Sequence, residues 1–508
     1  MSKIPEVLPR DEHNATLISN VHPPDWTNPR PADRYNLVVI GAGSAGLITA
    51  VIASGLGARV AIVERHLMGG DCLNVGCVPS KALIRSSRQI TEARAAGKLG
   101  LPIADGARVD FGAVMERVRR VRAQISPEDS VDRYQNELGV DVFLGDARFS
   151  GPDRVEVGDA TLRFSKAVIA TGARPARLPI PGLDEASPLT NETVFNLTEL
   201  PRRLAVIGGG PIGCELAQSF RRLGSQVTLF TDVGQVLPRE DPDAAAIVQE
   251  TLRREGVRLV LGCRLERVET LDGDKVLHAS CPGSGSERAA VDEILLAVGR
   301  VPNVEGLGLD EAGVRHDPRT GVHVDDRLRT TNPRIYAAGD ICMGWKFTHA
   351  ADAAAKIVVQ NALFFGRKKV SDLVMPWCTY TDPEIAHVGL YAQDAEKRGL
   401  AIDTYTIPLR ENNRAVVDGQ EEGFVRVHVK KGSDRIVGAT IVAAHAGELI
   451  SQVTLAMVGR LGLGTILNTI YPYPTQSEAL KRAAGAHARI RLTPLVKGLF
   501  DRWLAWTR

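Results

Sequence analysis

The first regular feature of the chain is an apolar run, Tyr35-Asn36-Leu37-Val38-Val39-Ile40, that stops at glycine. A second run, Arg203-Leu204-Ala205-Val206-Ile207, stops the same way. Short apolar runs bounded by turn residues predict buried strands. Each is followed by a helical stretch and another β-rich run, Arg59-Val60-Ala61-Ile62-Val63 in the first case and Gln226-Val227-Thr228-Leu229-Phe230 in the second. The pattern predicts two βαβ units, a duplication of architecture. Further along, Phe424-Val425-Arg426-Val427-His428-Val429 alternates as a half-buried strand. Residues 436–442 can pair with it through a turn at Lys431-Gly432-Ser433-Asp434. Helical sequence follows from Gly447 to about Leu461. Residues 1–34, rich in Pro, Asn, Asp and His, show no apolar periodicity and are expected to form a loosely held arm. Thr493 and Pro494 read as the N-cap and first residue of a helix with Leu495, Leu499 and Trp503 on one face and Lys497 and Arg502 elsewhere.

Composition narrows the class. With 508 residues, 44% hydrophobic and 24% charged, the chain has material for several globular domains. Its 62 basic and 60 acidic residues balance, which gives no reason to expect a nucleic-acid partner. No secretory pattern opens the sequence, and no apolar run approaches the roughly 18 residues of a membrane span. Seven scattered cysteines argue against a secreted disulfide framework, so a reducing, cytoplasmic setting is expected.

Two glycine-rich turns carry nucleotide chemistry. Gly41-Ala42-Gly43-Ser44-Ala45-Gly46 satisfies GxGxxG between a predicted strand and helix. Such a turn brings backbone and a helix N-terminus to a pyrophosphate. Glu64 closes the next strand 23 residues after Gly41, where a carboxylate can bind a ribose diol. Gly208-Gly209-Gly210-Pro211-Ile212-Gly213 repeats the pattern, but the matching position holds Thr231, followed by Asp232. A carboxylate there would favour NADH and repel a 2′-phosphate. Thr231 does neither, and the nearest downstream arginine is Arg239, so coenzyme preference stays open with a lean to NADPH.

Between the first βαβ strand and a predicted helix stands Cys72-Leu73-Asn74-Val75-Gly76-Cys77, followed by Val78-Pro79-Ser80-Lys81. Four intervening residues allow a small loop that closes as a disulfide and reopens as a dithiol. Pro79 suits a first helical turn, which places Cys77 at a helix N-terminus where thiolate is favoured. Metal sites prefer CxxC spacing and further ligands, and none cluster here; no resident metal is expected. The other cysteines, Cys214, Cys263, Cys281, Cys342 and Cys378, are expected to be ordinary core or surface residues, and His349 a structural one.

The segment GGDCLNVGCVPSK resembles the signature of the class I pyridine nucleotide–disulfide oxidoreductases, which include dihydrolipoamide dehydrogenase, glutathione reductase and mercuric reductase. ATGARP at 170–175, AVGRVPN at 297–303, YAAGD at 336–340, YTDPEIAHVGL at 380–390 and YPTQSE at 473–478 extend the resemblance over about 35–485. It implies an α/β fold: an FAD-binding domain (35–190 and 305–368), an NAD(P)-binding domain (191–304), both Rossmann-like, and an α+β dimerisation domain (370–490). Residues 491–508 would form an amphipathic tail. FAD would be held by Gly41, Gly43, Ser44, Gly46, Glu64, Lys81, Thr171, Gly172 and Asp340. NADPH or NADH would be held by Gly208, Gly210, Gly213, Thr231 and Gly299. Lys81 and Glu215 match an ion pair beside the flavin; Cys77 would be the thiolate touching it and Cys72 the outer thiol. A homodimer is implied, with each site borrowing residues from its partner.

One position departs from the thiol-reducing members. They carry a histidine before Pro-Thr in the last motif, oriented by a glutamate; here Tyr473 precedes Pro474-Thr475, and Glu478 remains. Imidazole suits proton transfer at neutral pH, whereas a phenol titrating near ~10 is a poor base. Mercuric reductases share the tyrosine, so that branch is nearer, and a soft metal ion becomes the leading acceptor. This sequence lacks both their C-terminal cysteine pair and an N-terminal CxxC module, which puts mercury itself in doubt. Pro211 stands where glutathione reductase has a tyrosine. The alternatives are a dihydrolipoamide-type dehydrogenase or a redox component of a multienzyme or membrane system. For the tail, docking on the dimer is favoured over contact with a membrane surface.

Overall fold

Every residue but Asn36 in Tyr35–Ile40 is buried, because the strand lies in the middle of a sheet and has neighbours on both edges. It pairs in parallel with Val60–Glu64 on one side and Ala160–Ile169 on the other. Asp141–Leu144 extends the parallel set beyond Val60–Glu64, and Ile335–Ala337 adds to the end of Ala160–Ile169. Two antiparallel strands, Arg154–Val157 and Ala147–Gly151, complete this seven-stranded sheet. The structure is a computed structural model and describes residues 6–101, 109–283, 285–490 and 492–508. It falls into two units, one of residues 1–232 and 257–373, the other of 233–256 and 374–508.

The first unit also holds the second nucleotide fold. Arg258–Leu261, Gln226–Thr231, Arg203–Ile207 and Glu293–Leu296 form a four-stranded parallel sheet in that order. Beside it in sequence, Arg264–Leu271, Asp274–Cys281 and Gly285–Val291 make a three-stranded antiparallel sheet. Parallel strands need crossovers, and Ser44–Gly55 and Pro211–Leu223 supply them. Helix Cys77–Ala95 packs on both Phe111–Ile125 and Pro211–Leu223. It thereby links the two nucleotide folds.

In the second unit five antiparallel strands run in the order Pro376–Thr379, Glu384–Gly389, Ile436–Ala443, Phe424–Lys430 and Ile402–Pro408. The hairpin joining Phe424–Lys430 to Ile436–Ala443 and the helix Ala446–Val458 stand where the sequence places them. Ala446–Val458 packs on the sheet's Glu384–Gly389 and Ile436–Ala443 strands, and Glu478–Ile490 on the other two of the last four.

Two expectations change. Residues 12–21 are not part of a loose arm: they form a helix, Glu12–Val21, capped by Asp11, which accepts from the Asn14 amide at 2.8 Å. Leu17 and Val21 are fully buried, and Arg122 donates to Asn14 Oδ1 at 2.7 Å. So few apolar positions give almost no periodic signal; the packing against Phe111–Ile125 supplies the order. Second, Phe424–Lys430 is not half-buried. His428 is 1% exposed, and Arg426 is ion-paired to Asp241 and Asp243, each at 2.7 Å. The segment 233–256 belongs to this unit and brings those carboxylates, so the polar positions face protein instead of water. Glu240 adds two contacts, accepting from Trp377 Nε1 at 3.0 Å and from the Tyr391 hydroxyl at 2.7 Å.

Candidate active site

In both glycine turns the outer glycines are needed by the fold and the middle one is not. A Cβ on Gly41 would lie 2.4 Å from the Ala170 carbonyl oxygen, and one on Gly46 1.8 Å from that of Gly41. In the second turn a Cβ on Gly208 would meet Ala297 O at 2.3 Å, and one on Gly213 would meet Gly208 O at 1.9 Å. By contrast Gly43 would meet only Gly70 Cα, at 3.8 Å, and Gly210 nothing within 4 Å. Gly43 and Gly210 are the N-caps of the two crossover helices, and neither helix start has a side-chain cap. The free first-turn amides and the space a Cβ would fill are what a pyrophosphate requires. Both turns therefore fit a dinucleotide.

Their second strands differ. Glu64 accepts from the Ala42 amide at 2.7 Å and the His66 amide at 2.8 Å, and burial pushes its carboxyl above the usual carboxylate range. At the second turn Thr231 is buried, and its side chain lies 3.2 Å from where a Gly209 Cβ would stand. It brings no charge. Thr171 and Gly172 sit on a loop locked to Asn303, whose amide donates to Gly172 O at 3.0 Å while Thr171 Oγ1 donates to Asn303 O at 2.9 Å. Gly299 has open space around its Cα.

The cysteines occupy two successive helices, one of 5 residues and one of 19. Cys72 lies within Gly70–Asn74, and Cys77 is the first residue of Cys77–Ala95. A Cβ on Gly76 would come 2.8 Å from Asp71 O, so the tight link between them needs glycine. Both cysteines stand as free thiols, Cys77 exposed and Cys72 half-buried. The two are unequal. Cys72 donates a hydrogen bond to Cys77; with Thr348 Oγ1 at 3.2 Å from Cys77 Sγ and the Lys81 charge nearby, this lowers the Cys77 thiol to about 6. The same bond and burial push Cys72 far up. Lys81 stands one helical turn from Cys77 and pairs with Glu215 of the second crossover helix at 2.8 Å. A cavity of about 390 Å3 opens on Cys77, with Lys81, Arg117, Val121 and Ile125 among its walls.

Sequence reasoning missed three contributors. Thr348, next to His349, begins helix Thr348–Leu363 and reaches Cys77; His349 itself stacks on Phe347. Arg300, inside AVGRVPN, bonds Asp71 and the Ala173 carbonyl and lies 3.4 Å from Asp340. Asp71 adjoins Cys72, so Arg300 ties the cysteine loop to Asp340, whose carboxyl burial raises. A charged residue inside each of two motifs, Asp71 beside Cys72 and Arg300 in AVGRVPN, was the available signal. Tyr473 and Glu478 lie in the second unit. Asn413 Nδ2 donates to the Tyr473 hydroxyl at 3.0 Å, and Tyr473 is 69% exposed. Thr475 Oγ1, Gln476 Oε1 and Glu478 Oε2 are buried without a hydrogen-bond partner.

The remaining cysteines correct one expectation. Cys263 and Cys281 are not ordinary thiols but form a disulfide. Arg264 pairs with Ser280 across the antiparallel hairpin, which sets the preceding and following cysteines face to face, Cα to Cα 4.3 Å. Strand register, invisible in their spacing, makes the bridge. Cys214, Cys342 and Cys378 form no disulfide.

Residues 35–355 match the family described as pyridine nucleotide-disulphide oxidoreductase, and residues 375–484 match its dimerisation domain. The chain belongs to the pyridine nucleotide-disulphide oxidoreductase family. It is an FAD-dependent oxidoreductase that takes electrons from NAD(P)H. Mercuric reductase of Staphylococcus aureus is 35% identical over 450 residues, 89% of this chain and 82% of that protein. Dihydrolipoyl dehydrogenase of Chlamydia muridarum is 34% identical over 458 residues, 89% and 96% respectively. The Cu(II) complex of the HOCl-induced flavoprotein disulfide reductase RclA from Escherichia coli is similar in structure, with a TM-score of 0.78, 29% identity, and coverage of 88% of this chain and 98% of that one. The two sequence relatives act on different substrates at nearly equal identity, so this oxidoreductase's acceptor is not given by likeness alone.

Proposed function

We propose that this oxidoreductase reduces a soft metal ion with electrons passed from NAD(P)H through FAD to Cys72 and Cys77. The observation that carries the proposal is the unequal dithiol: one thiol already ionised near neutrality, hydrogen-bonded by a second that is not. Bound FAD supplies hydride acceptance and two-electron storage. Gly43 and the free amides of helix Ser44–Gly55 would hold its pyrophosphate, Glu64 its ribose, and Lys81 would place an ammonium beside the ring. The ammonium favours the reduced, anionic ring, and Glu215 fixes its position. Gly210 and helix Pro211–Leu223 would receive NAD(P)H, with Thr231 offering no carboxylate against a 2′-phosphate.

On the acceptor side, Cys72 as the outer thiol gives up its proton and meets the ion, and the Cys77 thiolate joins it. Closing the S–S bond releases two electrons, which reduce one divalent ion by two or two ions by one each, and the single Cys72 proton goes to solvent. Soft ions suit this pair because thiolates bind them well and no imidazole base is needed. Tyr473 supports the same choice. Its hydroxyl is occupied by Asn413 in a position where dithiol-oxidising relatives hold a histidine. A mercuric reductase among the relatives and a Cu(II) complex of RclA support a metal ion as acceptor.

The test is an anaerobic titration of the FAD-loaded protein with NADPH and with NADH, followed by turnover with Hg(II), Cu(II), dihydrolipoamide and a quinone. Turnover with a soft ion that Cys72→Ala abolishes is the expected result. Tyr473→His should raise dihydrolipoamide oxidation, by up to the roughly 10²–10⁴-fold that acid–base catalysis contributes, without changing flavin reduction. A wild-type protein already as fast with dihydrolipoamide as the variant would transfer the assignment to a dihydrolipoamide-type dehydrogenase.

A further inference from the structure

Helix Pro494–Trp506 buries none of its residues. Leu495, Leu499, Phe500, Trp503, Leu504 and Trp506 are each more than half exposed, Trp506 at 77%. At about 100° per residue these six side chains fill roughly half of the helix circumference. Lys497 and Arg502 fall at the two borders of that arc. The opposite face carries Gly498, Ala505 and Asp501. Thr493 caps the helix by accepting from the Val496 amide at 3.3 Å, and Trp503 and Trp506 lie 5.3 Å apart on the apolar face.

Two further observations select the occupant. The matched dimerisation domain ends at residue 484, so this helix lies beyond the part that pairs subunits in the family. The segment that carries it is strongly basic: from Lys481 to Arg508 there are seven Lys and Arg residues and one acidic residue, Asp501. The chain as a whole is nearly neutral, +2. A local excess of positive charge complements an anionic surface, and cations flanking a Trp-containing apolar face suit the headgroup boundary. We propose that helix Pro494–Trp506 lies in the plane of an anionic lipid bilayer surface and holds the reductase there. Its apolar arc enters the acyl boundary, and Lys497 and Arg502 reach the headgroups.

The experiment is co-sedimentation of the FAD-loaded full chain with phosphatidylcholine vesicles, with and without phosphatidylglycerol. Wild type should pellet with the anionic vesicles about tenfold or more over the neutral ones, since each cation held at an anionic surface adds several-fold. Salt should weaken the binding. Leu499→Glu with Trp503→Glu should abolish it, and Lys497→Glu with Arg502→Glu should remove the preference for anionic lipid. NAD(P)H oxidation should be unchanged in both pairs, which shows that they are folded. Wild type remaining in the supernatant at low salt would overturn the proposal, as would equal binding by the Leu499/Trp503 pair. A wild type that ignores vesicles while that pair turns dimer into monomer would assign the helix to a second copy.

Discussion

At the residue scale the pair Cys72 and Cys77 shows how position makes two identical side chains different. Cys77 begins a helix, accepts from Cys72, lies 3.2 Å from the Thr348 hydroxyl and has Lys81 one turn away. Each contact favours its thiolate, and the proton-donating role raises Cys72. A thiol lowered to about 6 is ionised above that pH and protonated below it. Alkylation of Cys77 by iodoacetamide should therefore rise through an inflection near 6 and level off by neutrality. Cys72→Ala removes the largest cause, so its inflection should move up toward the ordinary ~8.5 of a cysteine. Thr348→Val should move it in the same direction by less. An inflection that stays near 6 in Cys72→Ala would show that the hydrogen bond is not what ionises Cys77.

At the scale of elements, the two glycine turns separate folding from binding within one motif. Gly46→Ala would press a methyl group to 1.8 Å from a backbone oxygen, and neither partner can move without parting strand from helix. Gly43→Ala has room, its nearest atom being 3.8 Å away. The expected outcome is that Gly46→Ala unfolds at markedly lower temperature or fails to accumulate. Gly43→Ala should keep the wild-type far-ultraviolet circular dichroism and yet purify with little flavin, because the methyl group takes the place of a phosphate oxygen. Thermal melts of apoprotein and flavin content per chain would check both. Full flavin occupancy in Gly43→Ala would mean that the space beside that N-cap is not where the pyrophosphate lies.

For the whole molecule, the second unit leaves large apolar side chains on its surface. Leu455, Val458 and Ile470 are 70%, 62% and 91% exposed, and all lie in the matched dimerisation domain. In the same domain Thr475, Gln476 and Glu478 each bury a polar atom without a partner. Such atoms are rare in a finished structure, because each costs about 1–3 kcal/mol. A second copy packed on this domain would cover Leu455, Val458 and Ile470, whereas the three polar atoms are already enclosed within the chain. Sedimentation velocity should give a dimer for wild type, and Leu455→Glu or Ile470→Glu should shift it to monomer. A wild-type monomer at micromolar concentration would count against the pairing.

The two βαβ units, their glycine turns, the cysteine pair at a helix start, the final hairpin and the helix capped by Thr493 were legible in the sequence, because each is dictated within a few residues of chain. Apolar runs ending in glycine, a proline one turn into a helix and a threonine before proline act locally, and their effect survives any tertiary setting. What remained hidden depends on residues far apart. Thr348 and Cys77 are 271 positions distant, and Arg300 and Asp71 are 229. The Cys263–Cys281 bridge follows from hairpin register, and the order of helix Glu12–Val21 from the burial of Leu17 and Val21. Arg426 and His428 read as solvent-facing until segment 233–256 is placed in the second unit with its carboxylates. Local sequence sets which conformations a segment prefers; only the packed fold decides which distant groups share a hydrogen bond, a charge or a dry surface, because those energies exist only once the chain has brought them together.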